Sequence, residues 1–234
     1  MLVTIIIPCF NEENTIEKIL NKIFEIRDIE KQIIIVDDFS TDESKKILKE
    51  NYENKVDKII YHNENKGKGA AIKSSLNFVK GEIVLIQDAD LEYDPKDYNK
   101  LLEPFLDNSI QVVYGSRVLG RDNNEKKNFL KQFRIFGNYI LTKFSNLINN
   151  QNLTDAHTCY KLFRKDIFFK LNLKEDDFSF CPEVTTKLSN LNIEIKEIPI
   201  SYNGREYEDG KKISFIDAIK AIKVIIKYKF DKKI

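Results

Sequence analysis

Short apolar, β-branched runs alternate with segments of helical periodicity from Leu2 to Tyr114, and this alternation leaves few folds open. The runs are Leu2–Ile7, Gln32–Asp37, Lys58–Tyr61, Ile83–Gln87 and Gln111–Tyr114. Between them, Thr15–Phe24 places Ile16, Ile19, Leu20 and Ile23 on one helical face. Thr41–Leu48, Gly69–Val79 and Pro95–Leu106 read as further helices. Unbroken apolar strands alternating with helices predict an α/β fold, a Rossmann-like, mostly parallel sheet flanked by helices. Ligands of such sheets bind beyond the carboxyl ends of the strands. Functional residues are therefore expected just after each run.

The second half is organised differently. Phe129–Ile148 has helical periodicity and many aromatics, Thr158–Phe163 reads as a strand, and Pro182–Leu188 as a short helix. Ile193–Ile200 is a further strand, and Ser214–Phe230 a closing helix with Ser214 as its N-cap and Asp217 in capping-box position. No repeat, low-complexity tract or Pro/Gly-rich linker interrupts the 234 residues, so one domain over 1–234 is expected, with halves 1–125 and 126–234. The N-terminal apolar run is too short for a signal peptide, and no stretch reaches the roughly 18 apolar residues of a membrane span. A cytoplasmic chain is expected, soluble or attached to a membrane surface. The net charge of +1 argues against a dedicated nucleic-acid binder. Cys9, Cys159 and Cys181 lack zinc-ligand or CxxC spacing and read as buried, reduced thiols; with only His62 and His157, a histidine-rich metal centre is not available.

Three strand ends carry carboxylates. The first run leads into Pro8-Cys9-Phe10-Asn11-Glu12, the second into Asp37-Asp38-Phe39-Ser40-Thr41-Asp42, and the fourth into Asp88-Ala89-Asp90-Leu91-Glu92. Like charges gathered on one sheet edge repel each other, and a bound cation or a ligand rich in donors offsets that cost. In an extended segment Asp88 and Asp90 would point to the same side, where they could hold Mg2+ or Mn2+ and leave coordination places for phosphates. Lys66-Gly67-Lys68-Gly69-Ala70-Ala71 opens the helix after the third strand. It is either an anion cradle of backbone N–H groups or a flexible basic turn; it is neither a dinucleotide fingerprint nor a Walker A loop.

These segments resemble the nucleotide-sugar-binding half of family 2, GT-A-fold glycosyltransferases. The later segments Gly115-Ser116-Arg117, Asp155-Ala156-His157-Thr158-Cys159-Tyr160-Lys161, Phe178-Ser179-Phe180-Cys181-Pro182-Glu183 and Ser201-Tyr202-Asn203-Gly204-Arg205 resemble the polyprenyl-phosphate subgroup, the dolichyl-phosphate mannosyltransferase and glucosyltransferase type. The resemblance implies that Pro8, Phe10, Glu12 and Asp37 contact base and ribose, and that Asp38 and Lys66 line the nucleotide pocket. It implies that Asp88 and Asp90, with Ala89 between them, meet the donor diphosphate through Mg2+ or Mn2+, with Glu92 close by as a further metal ligand. Arg117 and Arg134 would face the phosphates, and Arg205 with Lys211 or Lys212 would close over the site. Phe10 stands where many relatives have Tyr. The chain has no Trp and so no QxxRW motif, which speaks against a processive synthase; nor does it show the C-terminal membrane helices of several relatives.

The implied reaction is an inverting transfer from a nucleotide sugar, GDP-mannose or UDP-glucose, to a polyprenyl phosphate. Asp90, Arg117, Arg134 and Glu183 are the residues expected to carry it. A lipid monophosphate is already an anionic nucleophile, whereas a saccharide hydroxyl would need a base. Glu183 and Asp155 are the candidates for that base, and Glu183 has a competing role as a helix-start carboxylate. A family 2 enzyme acting on a saccharide hydroxyl and a non-catalytic nucleotide-sugar-binding protein are the alternatives.

The near-zero charge is a sum of opposed regions. Residues 126–143 carry +5 and residues 211–234 carry +6, which leaves −10 for the rest. Interleaved aromatic and aliphatic residues, with the stripe Phe215, Ile219, Ile222, Ile226 and Phe230, fit basic amphipathic helices at the inner face of an anionic membrane. The same stripes would also serve to pack on the sheet.

Overall fold

The computed structural model describes residues 1–121, 129–204 and 215–231, with the backbone alone for residues 129–134 and 215–216. Seven strands form one sheet in the order β3-β2-β1-β4-β6-β5-β7. They are β1 (Val3–Cys9), β2 (Lys31–Asp37), β3 (Lys58–Tyr61), β4 (Ile83–Ile86), β5 (Val112–Ser116), β6 (Lys161–Arg164) and β7 (Ile195–Pro199). β6 runs antiparallel to both its neighbours, β4 and β5. The other pairings are parallel.

The unbroken apolar runs are explained by burial on both faces. Ile5, Ile7, Ile33, Ile35 and Leu85 enter one hydrophobic cluster, while Ile6, Ile34, Val84 and Ile86 enter the other. Successive side chains of a strand point to opposite faces, so neither face can be polar. Helix α1 (Ile16–Glu25) covers the first face through Ile16, Ile19, Leu20 and Ile23. The second face is covered by α3 (Lys68–Ser75), α6 (Lys165–Lys170) and α7 (Phe180–Asn190), through Ile72, Ile167, Phe168, Phe180, Val184 and Leu188.

Several boundaries differ from expectation for local reasons. Thr41–Leu48 becomes the short α2 (Ser44–Ile47), continued by a π turn to Tyr52. Pro95–Leu106 holds α4 (Tyr98–Leu102) between two 3-10 turns, the second containing Pro104, which has no N–H to continue the ladder. β4 stops at Ile86, and residues 89–92 bend, so Asp88 and Asp90 do not lie on an extended segment. β6 begins only at Lys161, leaving residues 155–160 as a loop. Ser214, the expected N-cap of α8 (Phe215–Phe230), lies outside the described residues.

Helix α5 (Phe129–Asn149) is built inside out. Its buried face is polar: Thr142, Ser145, Asn146 and Asn149 are buried. Asn146 donates to the Leu153 carbonyl and accepts the Leu153 N–H, and Asn149 reaches the Thr186 hydroxyl. Phe136, Tyr139, Ile140 and Leu147 face outward. Helix α8 packs through Ala221, Val224, Ile225 and Tyr228 and leaves Ile219, Ile226 and Phe230 exposed. No described helix is long and apolar enough to cross a membrane.

Candidate active site

The ends of β1 and β2 are stitched together before any ligand is considered. Cys9 and Asp37 are paired in register, and the Asp38 N–H donates to the Cys9 carbonyl. The Asn11 N–H donates to Ser40 Oγ (3.0 Å), and the Thr41 N–H donates to Asn11 Oδ1 (2.8 Å). Glu12 is buried, its carboxylate accepts the Thr15 hydroxyl, and its own N–H donates to Ser44 Oγ. Asp37 is fully buried; its Oδ2 accepts the Ser40 N–H at 3.3 Å, and its Oδ1 has no partner among the described residues. Burial pushes the Asp37 carboxyl up, against the hydrogen bonds from Ser40. Pro8 and Phe10 are half-buried beside this rung.

Asp38 is buried like Asp37, but both of its oxygens are partnered. Its Oδ1 takes the His62 ring at 2.6 Å and the Lys66 N–H at 2.9 Å, and its Oδ2 takes the Gly67 N–H at 2.7 Å. The carboxylate thus holds the Lys66–Gly67 turn in place. Gly67 has φ +95°, and a Cβ there would come within 2.6 Å of the Asp176 carbonyl oxygen, so glycine is required. The Lys66 ammonium points away, 3.8 Å from Glu64.

The cation of this turn is Lys68, which sequence reasoning did not single out. Its ammonium pairs with Asp88 Oδ1 and lies 3.1 Å from Cys159 Sγ. Burial alone would lower Lys68, but Asp88, with the two thiols, outweighs it and holds the ammonium well above its ordinary range. The signal was present as the second lysine of the Lys66-Gly67-Lys68 turn, but only the tertiary fold says which lysine turns inward.

Past Asp88, the Ala89 side chain is buried in the hydrophobic core and offers a ligand only its backbone. Asp90 Oδ1 accepts the Glu92 N–H at 3.0 Å, and Glu92 Oε2 accepts the Tyr202 hydroxyl at 2.9 Å. The structure therefore brings Asp88 and Asp90 to one bend but turns the Glu92 carboxylate toward Tyr202. Among the described residues, no group of three or more carboxylate, thiol or imidazole side chains could hold a metal ion. The bend also rests on Tyr98 and Tyr160: Gln87 Oε1 accepts both of their hydroxyls at 2.7 Å.

Arg117, just past β5, faces Asp155. Its Nε and Nη2 donate to the two carboxylate oxygens at 2.6 and 2.8 Å, and its N–H adds a third contact at 3.1 Å. The guanidinium lies over the Tyr202 ring, 5.2 Å from its centroid. Burial would raise the Asp155 carboxyl, but Arg117, with Asn138, draws it down to about 2. Such a carboxylate is a poor proton acceptor, so Asp155 is not the base that a hydroxyl acceptor would need. Glu183 is also committed. It is fully buried, its oxygens take the Lys174 and Glu175 N–H groups at 2.7 and 2.9 Å, and Lys187 pairs with it at 2.6 Å. It holds the 174–177 loop, whose Asp176 carbonyl takes the Ala70 N–H. The Glu183 carboxylate is thus engaged by the loop and by Lys187, not by the N-terminus of its own helix.

Arg205, Lys211 and Lys212 lie outside the described residues, as does the Arg134 side chain. The site that is described is a bend bearing two aspartates, one held by Lys68, beside an arginine fixed by a buried carboxylate.

A family model described as "Glycosyl transferase family 2" matches residues 4–171. The chain belongs to glycosyl transferase family 2. It is 29% identical over 224 residues to a UDP-N-acetylglucosamine–dolichyl-phosphate N-acetylglucosaminyltransferase of Methanococcus voltae, covering 88% of this chain and 87% of that protein. It is 27% identical over 239 residues to a dolichyl-phosphate beta-glucosyltransferase of Trichomonas vaginalis, covering 96% of this chain and 72% of that one. Its fold is similar to glucosyl-3-phosphoglycerate synthase from Mycobacterium tuberculosis, with a TM-score of 0.70 over 97% of this chain and 77% of that chain at 16% identity. The fold of this glycosyl transferase family 2 chain is thus GT-A, with one reversed strand, β6, in its sheet.

Two outcomes follow from the buried groups. Glu183→Gln removes the partner of a buried ammonium, and the loss should be about 3–5 kcal/mol of folding stability, read by urea denaturation. Unchanged stability with lost turnover would instead make Glu183 the base. Burial, with Lys161 nearby, lowers His157 to about 4. The unfolded chain takes up a proton near its ordinary value of about 6.5 and the folded chain does not, so stability falls as pH drops from about 6.5 to 4, by up to about 3 kcal/mol. His157→Gln should flatten that slope between pH 7 and 5; a parallel slope in both proteins would show that His157 is not held neutral.

Proposed function

We propose that this glycosyltransferase moves a sugar from a nucleotide sugar to a polyprenyl phosphate at a membrane surface, with inversion at the anomeric carbon. The observation that carries this reading is the commitment of both candidate bases. Asp155 is held by Arg117 at the bottom of the carboxylate range, and Glu183 is consumed by two backbone N–H groups and Lys187. A phosphate acceptor needs no base. The dolichyl-phosphate enzymes to which the chain is similar support the same acceptor class. One of them takes its sugar from a UDP donor by name, which favours a UDP-linked hexose over GDP-mannose.

The donor set at the β4 bend fits a divalent cation. Asp88 and Asp90, two hard carboxylates on one bend, are the donor pair that would hold Mg2+ or Mn2+, with Lys68 already sharing Asp88. The structurally similar synthase was crystallised with Mn2+ and UDP, in line with this assignment. Asp88 and Asp90 would hold the ion, which supplies charge neutralisation at the donor diphosphate. Lys68 and Arg117 add the chain's own positive charge there. An oxygen of the acceptor phosphate attacks the anomeric carbon, the bond from that carbon to the diphosphate breaks, and Arg117 stabilises the charge on the departing group. Arg117 needs no reorganisation, because Asp155 and the Tyr202 ring already fix it. Arg134, Arg205 and Lys211 or Lys212 remain the proposed acceptor contacts.

Attachment to a membrane surface is supported by α5. A helix that buries threonine, serine and asparagine and turns phenylalanine, tyrosine, isoleucine and leucine outward is not packing its apolar stripe on the sheet. With Lys143 beside Tyr139, and with Lys223 exposed next to the stripe of α8, this surface fits an anionic membrane interface.

The reaction is tested by incubation with radiolabelled UDP-glucose, UDP-N-acetylglucosamine or GDP-mannose, short polyprenyl phosphate and Mn2+, followed by solvent extraction. Label in the organic phase is expected; label confined to a water-soluble saccharide would establish the hydroxyl-acceptor reading. Asp90→Ala should lower turnover by at least about a hundredfold with the fold intact. In flotation assays the protein should rise with vesicles containing anionic lipid and lose that binding when Phe136 and Ile140 are both changed to Ser. Failure of the unaltered protein to float would sink the membrane assignment.

A further inference from the structure

Phe39 is placed against its own interests. Its φ is +66°, in the left-handed region that glycine and asparagine enter readily and phenylalanine does not. The chain path requires this step. It lets the Ser40 N–H return to the Asp37 carboxylate at 3.3 Å and brings Ser40 Oγ and the Thr41 N–H onto Asn11. Glycine would follow the same path without strain. Instead the position carries a large apolar side chain that is 43% exposed and joins neither hydrophobic cluster. Strain and exposure both act against Phe39 in the free protein, and side chains retained under such conditions gather where a ligand binds.

The surroundings say which kind of ligand. Phe10 and Phe39 both follow the Cys9–Asp37 rung on adjacent strands. At that rung lies Asp37 Oδ1, fully buried and without a partner among the described residues, an acceptor held for an N–H that these residues do not supply. A flat group with an N–H on its edge and an apolar face satisfies both features. We propose that Phe39 is a base-stacking residue of the donor site, its ring covering the face of a nucleotide base whose edge N–H is accepted by Asp37. This rests on the nucleotide-sugar reading above. A phenyl ring stacks on any base, so Phe39 sets affinity for the nucleotide rather than the choice of base.

The test uses the full chain with Mn2+, titrated calorimetrically with UDP, with GDP, and with inorganic pyrophosphate as a probe that has no base. Phe39→Asn tolerates the left-handed backbone but removes the ring; Phe39→Tyr keeps it. Phe39→Asn is expected to melt higher than the unaltered protein and to bind the preferred nucleotide about tenfold more weakly. Its pyrophosphate affinity should be unchanged, and Phe39→Tyr should bind like the unaltered protein. Unchanged nucleotide affinity in Phe39→Asn overturns the proposal and leaves the glycosyl-transfer reading standing. Equal weakening for nucleotide and pyrophosphate also overturns it, because the defect then lies in the loop. If the unaltered protein binds neither UDP nor GDP, the glycosyl-transfer reading itself fails, and the proposal with it.

Discussion

The Arg117–Asp155 pair joins the two halves of the site. Asp155 is completely buried and receives three hydrogen bonds from Arg117 and one from Asn138 of α5. Its own N–H and that of Thr154 are taken by Glu197 on β7. One carboxylate therefore ties together the end of β5, the approach to β6, the α5 helix and the edge strand. A buried pair of this kind owes little of its value to net attraction, since desolvation offsets most of it. Its importance lies in what happens when one partner moves: the other charge is left buried and uncompensated, so both stay in place. That rigidity presents Arg117 at the carboxyl edge of the sheet.

The second half of the chain repeats this device. Lys161 is fully buried without a carboxylate partner among the described residues; it donates to the Ala156 and Thr158 carbonyls and sits 4.1 Å from the centroid of the Tyr114 ring. Glu183 and Lys187 form a buried pair that fixes the 174–177 loop. That loop receives Lys73 from α3 on one side, and Lys220, Lys227 and Tyr228 from α8 on the other. The helix proposed to meet the membrane and the turn that carries Lys68 are thus braced by the same short loop. Several charges brace the fold in this way, which a segment-by-segment sum of charge does not distinguish from surface charge.

Legibility followed the range of the interactions. The five early strands and α1 were readable because their signal is local: β-branched runs and a helical stripe that only burial explains. The carboxylates after β1, β2 and β4 were readable because a parallel strand delivers its next residues to the ligand edge. The same rule did not reach residues 155–160, which were marked by the family resemblance and not by their place after a strand. β6 is reversed between β4 and β5, so the residues that precede it, not those that follow, arrive at that edge. Asp155, Cys159 and Tyr160 enter the site for this reason, and nothing within the segment announces its direction. Individual side-chain roles were less legible still. Asp37 and Asp38 are adjacent and alike, yet one leaves an oxygen unpartnered among the described residues while the other is saturated by His62, Lys66 and Gly67.

By itself the sequence determined the layered α/β class, the strand ends at which chemistry gathers, the carboxylate pair Asp88 and Asp90, and the basic, aromatic-rich segments. These are properties of composition and period, which short-range physics converts directly into structure. Only the tertiary structure decided which charged groups face each other. It turned Lys68 rather than Lys66 toward Asp88, closed Asp155 on Arg117, sank Glu183 beneath a loop, and rotated α5 so that its polar side is the buried one. The reason is desolvation: a charge leaves water only where a specific partner waits, and that partner is supplied by an element distant in the chain.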